Sequence, residues 1–220
     1  MRVVIQCAGE KHESAGRLKH GVSGEGVVFV AHPEQCGHTE PIGRCCRPDD
    51  EVGTGLETWR EYLTRYNQQG LNPDGLRRAA ELYKRPIYLT LVERYGWHNV
   101  FILSAGWGLI RSDFLIPYYD ITFSNQGDPW SKRGSRDRFQ DFNHLRDDGI
   151  ASEETVYFFG GKSYLPLYHR LTQSIAARKI VYYSQGGLTH QKGYEYIRYR
   201  RFTNWHYSCA QDFMAGEVEK

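Results

Sequence analysis

Residues 99–123 read NVFILSAGWGLIRSDFLIPYYDITF. The run from Val100 to Ser104 is almost wholly apolar, is too short for a stable helix, and breaks at Ala105, Gly106 and Gly108. It therefore predicts a buried strand that enters a tight loop. The loop sets the indole of Trp107 between two glycines, and further on Pro117, Tyr118, Tyr119 and Asp120 put two phenols beside a carboxylate. In an open parallel sheet the carboxyl ends of the strands gather ligands, because the chain turns there and presents backbone N–H groups. A site is expected at this strand end.

The chain has 220 residues, enough for one well-buried core, and a formal net charge of +2, which does not by itself announce a nucleic-acid binder. Any basic surface has to come from local clustering. Aromatic residues make up 14% of the chain, so rings either fill the core or form stacking surfaces for bases. Five cysteines do not form an even disulfide framework, which fits a reducing cytoplasm. No stretch resembles a signal peptide or approaches the length needed to span a bilayer, so the expected location is cytoplasmic, with no membrane partner.

On either side of the central strand the pattern alternates. Val3 to Cys7 reads as a first strand ending in a loop with Gly9, Glu10, Lys11 and His12, a candidate site edge or an ordinary polar turn. Val27 to Ala31 reads as a second strand. The irregular segment that follows holds Cys36, His38, Cys45 and Cys46. These are zinc-ligand types at poor knuckle spacing, so no cofactor is expected and zinc is the one metal the residues admit. Thr54 or Thr58 caps a helix whose face is Trp59, Tyr62, Leu63 and Tyr66, with Arg60 and Arg65 expected to be solvated. A longer helical pattern runs from Asp74 to Tyr95, kinked or split at Pro86.

Beyond Phe123, Trp130, Lys132, Arg133, Arg136 and Arg138 fit either a phosphate-tracking, base-stacking surface or an exposed basic loop. Asp137 to Arg146 reads as a short helix. Thr155 to Phe159 is another strand, breaking on Gly160 and Gly161 before Lys162, Ser163 and Tyr164. That glycine turn is a candidate anion nest, although the spacing of a Walker loop is absent. A helix from Leu165 and a strand from Lys179 complete the alternation. The tail from Tyr194, with Arg198, Arg200, Arg201 and Trp205, reads first as an edge strand and second as a nucleic-acid contact. The expected architecture is one α/β domain over residues 1–220, a three-layer α/β/α arrangement around a mainly parallel sheet of about five strands. Residues 194–220 form a basic-aromatic appendage to it.

LSAGWGLI followed by IPYYDITF resembles the LSA-x-x-G-L…PYD-x-T signature of the YaaA-like family, which is grouped with the uracil-DNA glycosylase superfamily. RPDDEVGTGLETWREYLTRYN and GGKSY resemble further features of that group, and the similarity covers most of the chain between Arg2 and Ser184. The resemblance implies a three-layer α/β/α fold with its pocket at strand ends, nucleic-acid binding, and in some relatives work on modified bases such as glucosylated hydroxymethylcytosine in phage DNA. The chain lacks the G-x-D-P-Y and H-P-S-P motifs of familiar uracil-DNA glycosylases.

The functional expectation is a DNA glycosylase that cleaves the N-glycosidic bond of a modified base after flipping it from the duplex. The alternatives are a non-catalytic nucleic-acid-binding protein of the same fold and an N-glycosidase acting on free nucleotides. Such cleavage builds positive charge on the sugar and negative charge on the departing base, and so needs an anion near the sugar, donors for the base, and rings to hold it. Asp120 is the candidate carboxylate and Asp113 the second. Trp107 and Tyr119 are candidates for stacking. Ser104 and the amides of Gly106 and Gly108 are candidates to contact base or phosphate, and Lys162 to neutralise charge. Cys7, Gly9, Gly161 and Tyr164 complete the expected substrate set.

Overall fold

The five residues of β5 (Val100–Ser104) are all buried, so the strand has no face for water and is stable only inside a sheet covered on both sides. The computed structural model describes residues 1–19, 24–36, 43–53, 55–123, 139–184, 188–200 and 204–219. In chain order the strands are β1 (Arg2–Gln6), β2 (Val27–Val30), β3 (Arg44–Cys46), β4 (Arg77–Arg78), β5, β6 (Gly108–Arg111), β7 (Leu115–Ile116), β8 (Tyr119–Asp120), β9 (Phe142–Asn143), β10 (Thr155–Phe159), β11 (Arg178–Tyr183) and β12 (Glu195–Arg198). The helices are α1 (Trp59–Gln68), α2 (Ala79–Leu82), α3 (Ile87–Tyr95), α4 (His144–Asp147), α5 (Leu165–Thr172) and α6 (Trp205–Ala215).

The central sheet has seven strands in the order β12-β11-β10-β1-β5-β6-β9, two more than expected. The extra pair arises because β6 turns straight back antiparallel to β5, pairing Ser104 with Gly108, and β9 adds alongside β6. Gly108 is what allows this reversal. Its φ is +89°, and a Cβ there would lie 2.6 Å from the Phe142 carbonyl oxygen. The other five strands run parallel. Numbered by appearance among themselves they follow the order 2-1-3-4-5, so the chain leaves β1 to one side for β5 and returns on the other side for β10. The gap between the carboxyl ends of β1 and β10 is a topological switch point, where neighbouring loops diverge and leave a crevice.

Side-chain alternation along β10 shows how the faces are covered. Tyr157 and Phe159 meet Phe213 of α6 at ring-centre distances of 4.6 and 5.3 Å, whereas Phe158 stacks on Tyr168 of α5 at 4.1 Å. Successive strand residues point to opposite faces, so α5 and α6 cover different sides of the sheet. The stretch expected as an appendage thus contributes the outer parallel strand β12 and a helix whose Cys209, Ala210 and Phe213 are fully buried.

Several local expectations change. The second strand, β2, lies outside the main sheet and sits between β3 and β8 in a three-stranded one. The pattern expected as one long helix divides into β4, α2 and α3. Tyr83 is extended after α2, and Pro86 begins α3, where its missing N–H costs nothing. The helix expected at 137–146 is β9 followed by the short α4, and residues 137 and 138 lie outside the described ones. Thr58 does cap α1, through a reciprocal capping box with Glu61; Thr54 lies outside the described residues. Arg65 is half-exposed on Glu57, but Arg60 is 2% exposed rather than solvated. Its guanidinium donates to the carbonyls of Gly106 at 2.8 Å and Trp107 at 3.0 Å, and pairs with Asp49 at 2.8 and 3.2 Å. An arginine forked between a carboxylate and two carbonyls is satisfied without water.

Candidate active site

A cavity of about 380 Å³ opens at the switch point. Gln6, Cys7, Ala8, Gly9 and Glu10 line it from the end of β1, and Gly161, Ser163 and Tyr164 from the end of β10. Thr122 joins them from the segment after β8, Arg85 from the turn before α3, and Asn204, His206 and Tyr207 from the start of α6. Its volume sits near the lower end of the ~300–1,000 Å³ typical of small-ligand sites. Four expected substrate residues, Cys7, Gly9, Gly161 and Tyr164, are therefore brought together from opposite ends of the sequence.

The floor is a set of buried hydroxyls and a thiol. Tyr164 Oη lies 3.1 Å from Cys7 Sγ and also engages Thr122. Behind them the Tyr83 and Tyr119 hydroxyls meet at 2.8 Å, and Ser104 Oγ donates to Tyr119 at 2.9 Å. Tyr88 donates to the Gln6 carbonyl at 2.9 Å. Burial pushes the phenols of Tyr83, Tyr88, Tyr119 and Tyr164 well above their ordinary range, with the nearby Cys7 acting in the same direction. They therefore act as neutral hydrogen-bonding groups.

Asp120 does not line the cavity. It is exposed at the end of β8, two residues before Thr122, and pairs in register with Val30. It interacts electrostatically with Lys11 and with the half-buried Tyr118. Lys11 is 4% exposed, donates to the Gly9 carbonyl at 3.3 Å, and holds its ammonium 4.2 Å from the centre of the Tyr119 ring. Burial pushes the Lys11 pKa down, while Cys7 and Asp120 pull it back up. Neither the exposed carboxylate nor the sheltered ammonium is part of the cavity lining; Lys11 reaches it through the Gly9 carbonyl.

The remaining expected residues lie elsewhere. Asp113 is at the other end of the β5–β6 hairpin, ion-paired to Arg111 at 2.6 Å, so it cannot act beside Asp120. It borders a second, wider cavity of about 880 Å³ with Arg78, His144 and Asp148. Trp107 and Tyr119 are both fully buried, so neither can stack on an incoming base. Trp107 packs edge-on to Phe29 at 4.9 Å and parallel to Phe142 at 6.2 Å; Tyr118 is the ring left partly open beside Asp120. Ser104 accepts the amides of Gly106 and Trp107, and Gly108 is buried within β6, so this loop offers no donors to a ligand. The glycine turn after β10 gives its Gly161 amide to Gln6 Oε1 at 2.5 Å, and Lys162 is exposed off the cavity lining. The anion nest expected there is partly filled by the protein itself.

Arg198 and Arg200 are exposed at the outer edge, on and just after β12. Trp130, Lys132, Arg133, Arg136, Arg138 and Arg201 lie outside the described residues, as does His38. Within the candidate zinc set, Cys36 and Cys45 are joined in a disulfide, which takes two thiolates out of it. The same bond is one disulfide in a chain whose five cysteines were expected to fit a reducing cytoplasm. Among the described residues no group of three or more metal-binding side chains is found, and no helix is long and apolar enough to cross a membrane.

Sequence reasoning missed Arg85, Asn204, His206 and Tyr207 as lining residues. No local pattern marks them; only the seating of α6 over the sheet and the break before α3 bring them to the end of β1. Comparison with protein-family models, with curated proteins and with solved structures finds no match to this chain. The YaaA-like resemblance rests on the residues that carry it.

Proposed function

We propose that the chain is an N-glycosidic-bond hydrolase of uracil-DNA-glycosylase-like architecture, acting on a modified base in DNA once the nucleotide has swung out of the helix. The observation that carries this reading is the cavity at the β1/β10 switch point, whose Gly9 carbonyl takes a hydrogen bond from Lys11, the cation that interacts electrostatically with Asp120. The cavity is of a size for one small ligand.

In this reading water adds its oxygen to C1′ as the C1′–N bond breaks, and the bond's electron pair leaves with the base. Asp120 orients the water, takes its proton and faces the positive charge that develops on the sugar. Lys11, which donates to the Gly9 carbonyl, is the cation that interacts with Asp120. Tyr164, Cys7 and Thr122 present hydrogen-bonding groups toward the base. Tyr118 is the ring available at the rim, and the exposed Arg198 and Arg200, with the cations of 130–138, are the candidate DNA contacts.

The test is incubation of the purified chain with unmodified, hydroxymethylated and glucosylated DNA, followed by alkali. Alkali-labile abasic sites on at least one substrate, reduced about 100-fold or more in Asp120→Asn, are expected. DNA that is bound but yields neither free base nor abasic sites overturns the enzymatic reading and leaves a binding protein. Release of base from mononucleotides, with DNA untouched, moves the substrate to free nucleotides.

A further inference from the structure

Three unsatisfied donor groups meet where α6 reaches the cavity. Arg85 is half-buried, with its guanidinium carbon 5.2 Å from the centre of the Tyr207 ring, and it has no hydrogen-bond or ion-pair partner among the described residues. An arginine laid on a ring loses little further freedom when it binds an anion. The first turn of α6 is the second group. Asn204 precedes it at φ +50° and makes no side-chain cap. The Tyr207 amide is taken by the Asn204 carbonyl at 3.0 Å, but the amides of Trp205 and His206 have no carbonyl within the helix to meet. The third is His206, 8% exposed, on the cavity lining, with its buried Nε2 lacking any hydrogen-bond partner among the described residues. Burial, with the Arg85 charge second, holds its pKa down to about 4, so near neutral pH the ring is uncharged and carries one N–H.

We propose that this end of the cavity binds a phosphate group, so that the ligand is a phosphorylated nucleotide, free or within DNA, rather than a bare base or nucleoside. A planar guanidinium, a helix start and an imidazole share one end of the cavity lining, which suits a group with several equivalent oxygens better than a single carbonyl. Glu10 is the carboxylate on the lining; it is exposed and forms no ion pair with Arg85, so solvent screens it. The inference takes the cavity to be the substrate site, as proposed above, and is independent of the bond-breaking step.

Titration calorimetry on the full chain tests it with deoxycytidine 5′-monophosphate, deoxycytidine, inorganic phosphate and a short single-stranded oligodeoxynucleotide. The monophosphate or the oligonucleotide is expected to bind about 10- to 100-fold more tightly than the nucleoside. Arg85→Gln should erase most of that difference, and Arg85→Lys should retain part of it. Arg78→Gln, in the other cavity, should leave it unchanged as a charge control. Preference for the monophosphate marks a free nucleotide as the source, and preference for the oligonucleotide marks DNA. A reading without substitution comes from the His206 ring resonances, which phosphate should move and deoxycytidine should not.

Equal affinity for nucleoside and nucleotide, an Arg85→Gln chain that binds phosphate unchanged, or unmoved His206 resonances overturns the phosphate site. Base release that persists at full rate in Arg85→Gln overturns it too while sparing the glycosidase reading. Phosphate binding without base release does the reverse.

Discussion

Lys11 and His206 are both buried bases, and their effects on stability run with pH in the same direction for the same reason. Each loses its proton more readily folded than unfolded, so the unfolded chain binds more protons between the two pKa values and stability rises with pH across that interval. For His206 the interval lies between the ordinary value near 6.5 and about 4, worth about 3 kcal/mol when integrated. Urea unfolding at pH 7 and pH 4.5 should show the loss on acidification, and His206→Phe should flatten that part of the curve; an unchanged slope would place the titration elsewhere. For Lys11 the interval lies below the ordinary lysine value, and wherever the folded chain keeps the ammonium form it bears the cost of desolvating it. Lys11→Met should therefore raise the melting temperature at pH 7, less so as pH approaches that of free lysine, while base release falls because Asp120 loses a cation that interacts with it. Trp107 gives a contrasting case. Its buried Nε1 has no hydrogen-bond partner, so Trp107→Phe loses ring volume but also deletes an orphan donor. It should cost less than the ~3–5 kcal/mol of a truncation to alanine and leave ligand affinity untouched, since the ring never meets the cavity.

Among the elements, α1 is tied to the β5–β6 turn through the hydrogen bonds of Arg60. Arg60 bridges Asp49, the carbonyls of Gly106 and Trp107, and, at 3.6 Å, the wholly buried Asp141. Arg60→Ala leaves the partly buried Asp49 carboxylate and two buried carbonyls without their donor, while Asp141 keeps Arg170 at 2.8 Å, so a loss of about 3 kcal/mol is expected in denaturant titrations. A loss under 1 kcal/mol would show that water replaces the guanidinium. This side chain also marks how far the sequence could be read. Helical spacing put Trp59, Leu63 and Tyr66 on the buried face correctly, because apolar periodicity records which side of a helix avoids water. The same periodicity assigned Arg60 to solvent, because it carries no record of carbonyls arriving from a turn far along the chain. The parallel strands were legible for a similar reason: β1, β5, β10 and β11 are short apolar runs ended by glycine or polar loops. β6 and β9 were not, since an apolar run after a glycine loop fits a hairpin return as well as a loop. At the site, Cys7, Gly9, Gly161 and Tyr164 were legible because strand ends are where ligands gather. Trp107 and Tyr119 misled because a ring beside a glycine reads the same whether it faces a ligand or the core. Arg85 and His206 became visible only through the helix packing.

At the scale of the whole molecule the candidate site needs two sheets in register with each other. The seven-stranded sheet supplies the floor through the ends of β1 and β10, and the three-stranded β3-β2-β8 sheet carries Asp120 on one outer strand. The other outer strand, β3, contains Cys45, whose disulfide to Cys36 ties it to the segment leaving β2. β8 has only two residues, so its position depends on β2, and β2 in turn is flanked on its far side by the strand the disulfide fastens. Opening this bond should therefore act on the rim more than on the core. A loop this short accounts for up to about 3 kcal/mol in the chain-entropy view. If the small sheet loosens locally, less than that will appear in global unfolding and more in catalysis. Alkylation under denaturing conditions without reductant should label three cysteines, Cys7, Cys46 and Cys209, and five after reduction. A Cys36→Ser, Cys45→Ser double variant should keep its phosphate affinity, which depends on Arg85 and α6, yet release base more slowly because Asp120 is less firmly placed. Five labelled cysteines without reductant would refute the bond, and equal loss of phosphate binding and base release would show that the two sheets move as one body.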